Sequence, residues 1–382
     1  MKLPNGFQSS GIVAGLKASS RPDLGLIYSS QALSWAMTST TNSLKAPCVS
    51  RNRARYATDW PVRGLVVNSG NANCANGDQG IWDNEDFAGA VATSFGLPRV
   101  QDILTASTGI IGEKLPVEKI TQAIPELIKT LEDDSSNFAE AILTTDTRTK
   151  QVAATLRNGV RIVGIAKGSG MIHPTMATML AFVMTDADLP QGLLRELWPE
   201  IVNRSFNQVS VDGDTSPNDM AILLSSNHHP AAQQEFSEAL EAVCQKLAEK
   251  IAADGEGASK LITVRVRGAR TVEEARTAAR QVAKSSLVKA AIHGNDPNWG
   301  RILSAVGTSG AVADQSSVLI TLQGTVVYHG SPQDFEAAKL SSEMRENDVE
   351  IEINLAAGNE NGIAWGCDLG PEYVHINADY HT

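Results

Sequence analysis

Apolar residues recur at helical spacing in three segments of the chain, residues 87–95, 120–131 and 236–251. Side chains three and four positions apart share one face of a helix, so each segment predicts an amphipathic helix. Asp83 is the predicted N-cap of the first helix, and Pro116 is the predicted first residue of the second. The pattern therefore predicts long helices, each with one buried face.

Short apolar or alternating runs predict strands between and after these helices. They cover residues 65–67, 103–104, 161–166, 261–267, 318–322, 326–329, 349–355 and 373–380. Residues 179–184 form a further apolar run, which predicts either a buried strand or a buried helix. The chain is thus expected to mix helices and strands, with a mainly β C-terminal part.

Length and composition limit the class of protein. At 382 residues the chain exceeds one average domain, so two lobes are expected, each with its own core. Hydrophobic residues make up 42% and charged residues 20%, which is ordinary for a soluble globular protein. The formal net charge of −11 and the lack of a Lys/Arg cluster argue against nucleic acid or an acidic membrane as a partner.

The four cysteines and the first residues indicate the compartment. Cys48, Cys74, Cys244 and Cys367 show no CxxC pair and no Cys/His ligand spacing, so reduced thiols are expected. The first residues lack the apolar core of a signal peptide, and no run of about 18 apolar residues occurs. We therefore expect a cytoplasmic protein without a membrane span.

One acidic turn, residues 212–219, is the candidate metal site. It matches half of a calcium-binding loop but lacks the glycine at the sixth position and the terminal glutamate. We therefore expect no bound metal.

The candidate nucleophile lies where an irregular segment meets the apolar run. Residues 167–174 contain two glycines, a serine and a proline, and Thr178 follows the small residue Ala177. Such a hydroxyl could attack the Ala177 carbonyl, and hydrolysis of the resulting ester would give Thr178 a free α-amine. An amine of pKa about 8 can accept the hydroxyl proton, as in N-terminal threonine nucleophiles. The alternative is an ordinary loop entering the core, which the pattern alone favours.

A candidate oxyanion hole follows the strand predicted at residues 103–104. Residues 105–109 are small or carry hydroxyl groups, and the segment ends in Thr108 and Gly109. Glycine lets backbone N–H groups approach a developing negative charge, and a threonine hydroxyl adds a donor. A plain turn is the commoner role of such a segment.

A set of motifs that spans nearly the whole chain indicates the family. The segment KGSGMIHPTMATML closely resembles the cleavage motif of the glutamate/ornithine N-acetyltransferase family of arginine biosynthesis. The segments that match other motifs of this family, in order, are NSGNAN, STGIIG, TTDT, DGDTSPND, DGEG, DPNWGR and INADY. Single motifs are weak signals, but their joint occurrence in order is specific.

The resemblance implies roles for individual residues. Cleavage would separate Ala177 from Thr178, which becomes the nucleophile, and Thr108 with Gly109 would form the oxyanion hole. The implied substrate-binding residues are Thr145, Lys167, Thr178, Glu256, Asn377 and Thr382, with Thr144 as the alternative to Thr145. Lys167 would bind a substrate carboxylate, and Glu256 would pair with an α-ammonium group.

The resemblance also implies a fold and an assembly. The expected fold class is α/β of the α+β type, an N-terminal-nucleophile-like fold with sheets packed against helices in two lobes. Residues 1–177 would form an α chain and residues 178–382 a β chain, which assemble as an α2β2 heterotetramer.

The implied reaction is ping-pong transfer of an acetyl group from N-acetyl-L-ornithine to L-glutamate. It requires no metal or organic cofactor, and whether acetyl-CoA is a second donor stays open. Two rival functions also remain. One is a related self-cleaving amidohydrolase or aminopeptidase that uses water as the acceptor. The other is an uncleaved small-molecule-binding homologue in which Thr178 is inert.

Overall fold

The computed structural model describes residues 1–173 and 179–379, and two β-sheets dominate these residues. The strands are β1 Gln8–Ile12, β2 Leu24–Ser39, β3 Val62–Asn71, β4 Ile103–Ile110, β5 Lys150–Thr155, β6 Arg161–Lys167, β7 Leu180–Asp188, β8 Val209–Ser210, β9 Met220–Pro230, β10 Leu261–Ala269, β11 Leu319–Leu322, β12 Thr325–His329, β13 Asp348–Asn354 and β14 Glu360–Cys367. The helices are α1 Pro47–Tyr56, α2 Gly77–Ser94, α3 Val117–Lys129, α4 Ser136–Ala141, α5 Gln191–Arg204, α6 Gln233–Ala253, α7 Val272–Lys284, α8 Ser286–His293, α9 Trp299–Gly307, α10 Ala337–Glu343 and α11 Pro371–Asp379. The α/β fold class expected from the sequence is confirmed.

The larger sheet has the strand order β4-β3-β2-β9-β7-β6-β5, and β1 pairs with β2 at its side. The apolar run that the sequence left as strand or helix is the interior strand β7. Along β7, Val183 belongs to the core beneath α5 and α6, while Phe182 belongs to the core on the other face. A strand buried on both faces needs apolar residues at consecutive positions, which explains the continuous run.

The smaller sheet has the order β12-β11-β13-β10-β14-β8 and lies wholly within residues 209–367. Helix α7 packs on it through small side chains such as Ala275 and Ala279. Gly362 on β14 lies under this helix, and a Cβ there would come within 2.6 Å of the Ala275 backbone. Small residues on both surfaces therefore let the helix lie close to the sheet.

The predicted division at residue 177 does not coincide with the division between the sheets. Strands β1–β6 precede that residue, while β7 and β9 follow it, and all of them share the larger sheet. Strand β7 pairs antiparallel with β6, and β9 pairs antiparallel with β2. The two segments predicted to become separate chains are thus joined by backbone hydrogen bonds.

The predicted strand at residues 373–380 is wrong, because the described part of that segment lies in helix α11. The alternation of apolar and polar residues suggested a strand, but residues 371–379 pair with none of the strands that the structure describes. Pro371 begins the helix at a position where a missing backbone N–H costs little. The apolar residues of α11 do not form a core, since none of its residues is buried.

Two predicted helix starts are also displaced. Helix α2 begins at Gly77 after Asn76, and Asp83, the predicted N-cap, is a buried residue inside it. Pro116 is the N-cap residue of α3 and not, as predicted, its first helical residue; the helix begins one residue later, at Val117. Among the helices that the structure describes, none is long and apolar enough to cross a lipid bilayer.

Candidate active site

One cavity brings together the predicted site residues that the structure describes. The predicted residues that line it are Thr108, Gly109, Thr145, Lys167, Glu256 and Asn377. They come from segments far apart in the sequence, so the fold gathers them. Ala177, Thr178 and Thr382 lie outside the described residues.

Lys167 ends strand β6 and places its ammonium group at the cavity wall, although the residue is only 2% exposed. Its Nζ donates hydrogen bonds to Thr144 Oγ1 at 2.8 Å and to Thr108 Oγ1 at 3.2 Å. Burial lowers the pKa of Lys167, and the charge of Asp146 opposes this shift. The lysine thus links Thr108, a predicted oxyanion residue, to Thr144, the alternative substrate-binding threonine.

Thr144 and Thr145 both line the cavity, but the hydrogen bond from Lys167 goes to Thr144. The sequence offered two adjacent threonines and no signal to decide which of them faces the lysine. The structure thus gives Thr144 a place in the site that the sequence ranked second.

Gly109 adopts a backbone conformation that glycine favours, with φ of +133°. It lies opposite Gly70 in the parallel pairing of β3 and β4. A Cβ on Gly109 would lie 2.5 Å from the backbone nitrogen of Asn71, so no side chain fits there. The neighbouring Thr108 is 6% exposed and still reaches the cavity wall.

Glu256 lies in the turn after α6 and supplies the carboxylate of the cavity. Its backbone N–H donates to the Ser169 carbonyl at 2.9 Å, and its Oε2 accepts from Asn377 Nδ2 at 2.9 Å. Gly170 lies directly against this carboxylate, where an added Cβ would clash with it. Ser169 and Gly170, which belong to the segment before the predicted cleavage site, therefore both contact Glu256.

Two oppositely charged groups, Lys167 and Glu256, therefore line one cavity. The charge of Glu256 also raises the pKa of Lys167 against the larger opposing effect of burial. An α-amino acid carries a carboxylate and an ammonium group, so the arrangement can bind both ends of such a ligand.

A buried ionic network supports this site, and the sequence gave no indication of it. Lys150 Nζ donates to Asp146 Oδ1 at 2.6 Å and to Asp254 Oδ2 at 2.5 Å, and all three side chains are almost fully buried. Burial alone would raise the pKa of Asp146, but the charges of Lys167 and Lys150 hold it below its ordinary value. The network therefore joins the turn that carries Thr144 to the end of α6, two residues before Glu256.

Two further motifs noted in the sequence also reach the cavity. Ala72 belongs to the segment NSGNAN, while Ser216 and Asn218 belong to DGDTSPND. Asn218 Nδ2 donates to the Ala72 carbonyl at 2.7 Å and to the Ser107 carbonyl at 2.9 Å. Asn218 thus holds these segments against the strand that carries Thr108.

The segment before the predicted cleavage site is held by Asp212. Its carboxylate accepts backbone hydrogen bonds from Met171 at 2.5 Å and from Ile172 at 2.9 Å. Asp212 is part of the acidic turn that the sequence raised as a metal site, and it acts here as a backbone anchor. Within residues 1–173 and 179–379, no group of three or more His, Cys, Asp or Glu side chains is placed to hold a metal ion.

Comparisons with known proteins give the same family over the whole chain. A family model described as the ArgJ family matches residues 8–382. The arginine biosynthesis bifunctional protein ArgJ of Thermus thermophilus is 51% identical, and the match covers 100% of both chains.

Two solved structures each match about half of the chain. A crystal structure of the arginine biosynthesis bifunctional protein ArgJ from Bacillus halodurans is 41% identical with a TM-score of 0.50, and covers 52% of this chain and 98% of that chain. A crystal structure of ornithine acetyltransferase complexed with ornithine from Mycobacterium tuberculosis is 32% identical with a TM-score of 0.43, and covers 45% of this chain and 92% of that chain.

Proposed function

Because the chain belongs to the ArgJ family, we propose that it transfers an acetyl group from N2-acetyl-L-ornithine to L-glutamate through an acetyl-Thr178 ester. The observation that carries this proposal is the cavity in which Lys167 and Glu256 face a common space beside Thr108 and Gly109. The donor and the acceptor both carry an α-carboxylate, for which Lys167 is the partner. The free α-ammonium groups of glutamate and of the product ornithine are the partners of Glu256.

The reaction begins with cleavage of the chain itself. The Thr178 hydroxyl attacks the Ala177 carbonyl, the peptide C–N bond breaks, and an ester and a free α-amine result. Water then hydrolyses the ester, which leaves residues 1–177 and residues 178–382 as two chains. The crystal structure from B. halodurans supports this step. The match covers 98% of that chain but only 52% of this one, as expected if the crystallised chain is one of two cleavage products.

Acetyl transfer follows in two halves. Thr178 Oγ attacks the acetyl carbonyl of N-acetylornithine while the Thr178 α-amine accepts the hydroxyl proton and passes it to the departing ornithine amine. The α-amine of glutamate, in its neutral form, then attacks the acetyl carbon, and the ester C–O bond breaks. The Thr178 α-amine takes the proton from the attacking nitrogen and returns it to Thr178 Oγ. Thr108 and the Gly109 backbone stabilise the negative charge on the carbonyl oxygen in both halves.

Acetyl-CoA is proposed as a second acetyl donor. The reaction is proposed to need no metal or organic cofactor. The matched relatives carry the name bifunctional protein, which supports a second activity. The two chains are proposed to assemble as an α2β2 heterotetramer in the cytoplasm.

Intact mass under denaturing conditions tests the cleavage. Wild type should give two chains, the second beginning at Thr178, and Thr178→Ala should give one. A wild-type chain that stays whole and inactive would favour the uncleaved binding protein instead.

Acetyl transfer from N-acetylornithine, with and without glutamate, then tests the acceptor. N-Acetylglutamate should form only when glutamate is present. Release of free acetate at the same rate in both reactions would favour the amidohydrolase.

A further inference from the structure

Directly after strand β14, the carboxylate of Asp368 is almost fully buried and does not line the candidate active site. Its Oδ1 accepts the backbone N–H groups of Ser259 and Lys260, both at 2.8 Å. Its Oδ2 accepts the Ser259 hydroxyl at 2.6 Å and lies 2.7 Å from His293 Nδ1. The carboxylate therefore joins the end of β14 to the residues before β10 and to the end of α8.

The negative charge of Asp368 is what makes this contact a firm one. Burial alone would raise the pKa of Asp368, but the hydrogen bonds from Ser259, from His293 and from the backbone hold it below its ordinary value. The carboxylate is therefore ionised at neutral pH, and an ionised acceptor forms stronger hydrogen bonds than a neutral one. Residues 259 and 260 are thus held by a charge-assisted anchor.

This anchor lies three residues beyond Glu256, the carboxylate of the candidate active site. Glu256 is flanked by Gly255 and Gly257, and Gly257 has a φ of +69°. Glycine on both sides leaves the backbone of this turn free to move unless its ends are held. Asp254, a member of the buried ionic network, holds the end next to α6, and Asp368 holds the other end.

A buried lysine strengthens the anchor from the side of α8. Lys260 is 8% exposed, and its Nζ donates to the Ile292 carbonyl at 2.8 Å and to Asn295 Oδ1. Asn295 directly precedes the motif DPNWGR, which matches the family but does not line the cavity. The end of α8 and the segment after it therefore support the turn that carries Glu256.

Asp368 also leads into helix α11, which carries Asn377. The His293 ring lies against Gly370, where an added Cβ would come within 2.4 Å of the ring. Helix α11 begins at the next residue, and Asn377 Nδ2 donates to Glu256 Oε2 at 2.9 Å. One anchor thus supports both the carboxylate of the cavity and its hydrogen-bond partner.

We propose that Asp368 is a positioning residue, which holds the Glu256 carboxylate where the α-ammonium group of glutamate binds and does not itself touch the substrate. The inference rests on the proposed function, because that function supplies the ammonium group. A displacement of about 1 Å in a site can cost about a hundredfold in rate. N-Acetylornithine carries its α-nitrogen in an amide, so a displaced Glu256 affects this substrate much less.

The test compares two buried carboxylates that accept backbone N–H groups. Asp368→Ala removes the anchor. The matched control is Asp186→Ala, since Asp186 is 1% exposed and accepts the N–H groups of Asn5 at 3.1 Å and Arg161 at 2.7 Å. Arg161 begins β6 and Lys167 ends it, so the control lies at the other end of that strand from the cavity.

The two substrates give the readout, because kcat/KM for each substrate of a ping-pong reaction reports its own half of the reaction. Asp368→Ala should lower kcat/KM for glutamate by about tenfold to hundredfold and leave kcat/KM for N-acetylornithine within about threefold. Asp186→Ala should lower the thermal midpoint to a similar extent but leave both kcat/KM values within about twofold. A merely structural role of Asp368 would affect the two substrates alike.

A milder pair of variants tests the inference if Asp368→Ala does not fold. Ser259 is exposed, and Ser259→Ala removes one hydrogen bond to Asp368, whereas Ser259→Thr keeps a hydroxyl there. Ser259→Ala should lower kcat/KM for glutamate by about threefold to tenfold, as expected for the loss of one charge-assisted hydrogen bond. Ser259→Thr should retain the wild-type value.

Calorimetry with L-glutamate needs no turnover, so it separates this inference from the proposed function. Asp368→Ala should bind glutamate at least about tenfold more weakly than wild type and Asp186→Ala do. This difference in Kd supports the inference even if wild type transfers no acetyl group.

The positioning role is contradicted by equal falls of kcat/KM for the two substrates in Asp368→Ala, or by an unchanged Kd for glutamate. The same kcat/KM for glutamate in Ser259→Ala and Ser259→Thr also contradicts it. Failure of wild type to bind glutamate would overturn it, because no ammonium site would then exist. If Asp368→Ala transfers acetyl groups to glutamate as well as wild type does, this inference fails and the proposed function stands.

Discussion

At the scale of single residues, the candidate site depends on a few glycines that lie directly against other groups of the site. Gly170 is one of them, because its backbone lies against the Glu256 carboxylate. From the sequence, the glycines of residues 167–174 indicated only an irregular segment. The structure gives the glycine at residue 170 a second reason, which is its close approach to the Glu256 carboxylate, the proposed partner of a substrate ammonium group.

We expect Gly170→Ala to displace Glu256 and to raise the KM for L-glutamate by about tenfold, which corresponds to the loss of one charge-assisted contact. Steady-state kinetics with glutamate as the varied substrate measure this change. The control is Gly192→Ala on α5, where an added Cβ meets no atom within 4 Å and the KM should not change. An unaltered KM in Gly170→Ala would remove Glu256 from the proposed ammonium site.

Lys150 is a residue whose importance only the fold reveals. It is separated from Asp254 by 104 positions in the chain, so no local pattern could pair them. Lysine is usually an exposed residue, and its position at the first residue of a strand gave no reason to expect burial. The same holds for Asp146, which the sequence analysis noted only as part of the motif TTDT and to which it gave no role.

Lys150→Met should destabilise the protein by about 3–5 kcal/mol, because two buried carboxylates would lose their shared cation. The measurement is the thermal unfolding midpoint at neutral pH. Lys246→Met is the matched control, since Lys246 pairs with Glu249 at the surface and its loss should cost less than about 1 kcal/mol. Equal midpoints for the two variants would contradict the structural role of the network.

Lys167 should set the alkaline limit of activity. Its lowered pKa means that the ammonium loses its proton at a lower pH than an ordinary lysine of pKa 10.5. Substrate carboxylate binding needs the charged form, so kcat/KM should fall with rising pH before 10.5 is reached. The rising limb at lower pH would belong to the Thr178 α-amine, which must be neutral to act as a base.

Lys167→Arg tests this assignment, since arginine stays charged above pH 12. The falling limb of the pH profile should move to higher pH while the rising limb stays in place. Lys339→Arg, an exposed substitution, should leave both limbs unchanged. A falling limb that does not move in Lys167→Arg would assign it to another group.

At the scale of secondary structure elements, periodicity was a reliable guide where an element is buried on one side. Helices α3 and α6 lie where the apolar spacing predicted them, because each has one buried face. Periodicity gave a wrong prediction at α11. No residue of this helix is buried, so no buried face imposes a helical spacing on its apolar residues. The N-cap of α2 was missed for a different reason, since Asp83 is a buried polar residue within the helix.

The exposed position of α11 leads to a prediction about the C-terminal segment. A stop codon after Gly370 should shift the thermal midpoint by less than about 2 °C, because the deleted helix contributes no buried side chain. The same deletion should lower kcat/KM at least about tenfold, since Asn377 and its hydrogen bond to Glu256 are lost.

A second stop codon, after Asp379, serves as the matched comparison. It keeps Asn377 and removes Thr382, so the two truncations separate the contributions of these residues. A large fall of the thermal midpoint in the longer truncation would show that α11 stabilises the fold, contrary to its exposure.

At the scale of the whole molecule, the sequence identified the family through ordered motifs and placed six described residues that share one cavity. The resemblance to an arginine-biosynthesis acyltransferase family is confirmed by the family model and the T. thermophilus relative. The arrangement of strands could not be predicted, because pairing depends on contacts between distant segments. A division into lobes at residue 177 was therefore a natural expectation, yet the larger sheet crosses it.

The shared sheet predicts that cleaved wild-type protein stays together under native conditions. Denaturing electrophoresis should show two chains, whereas size-exclusion chromatography should show a single particle that contains both. Besides strand pairing, the core crosses the boundary, as in the edge-to-face contact of Phe138 with Phe182 at a centroid distance of 5.7 Å. Elution of the two chains in separate peaks would contradict this prediction.

The pairing of β6 with β7 and of β2 with β9 also favours folding of the chain before its proposed cleavage. While the chain is continuous, each strand finds its partner at the high effective concentration that a covalent tether provides. Once the bond before Thr178 is cut, the same pairing becomes an association of two molecules and depends on dilution. Under the proposed cleavage, the uncut chain therefore acts as its own assembly template. A cleaved protein that unfolds in dilute solution lacks the covalent connection under which it first folded.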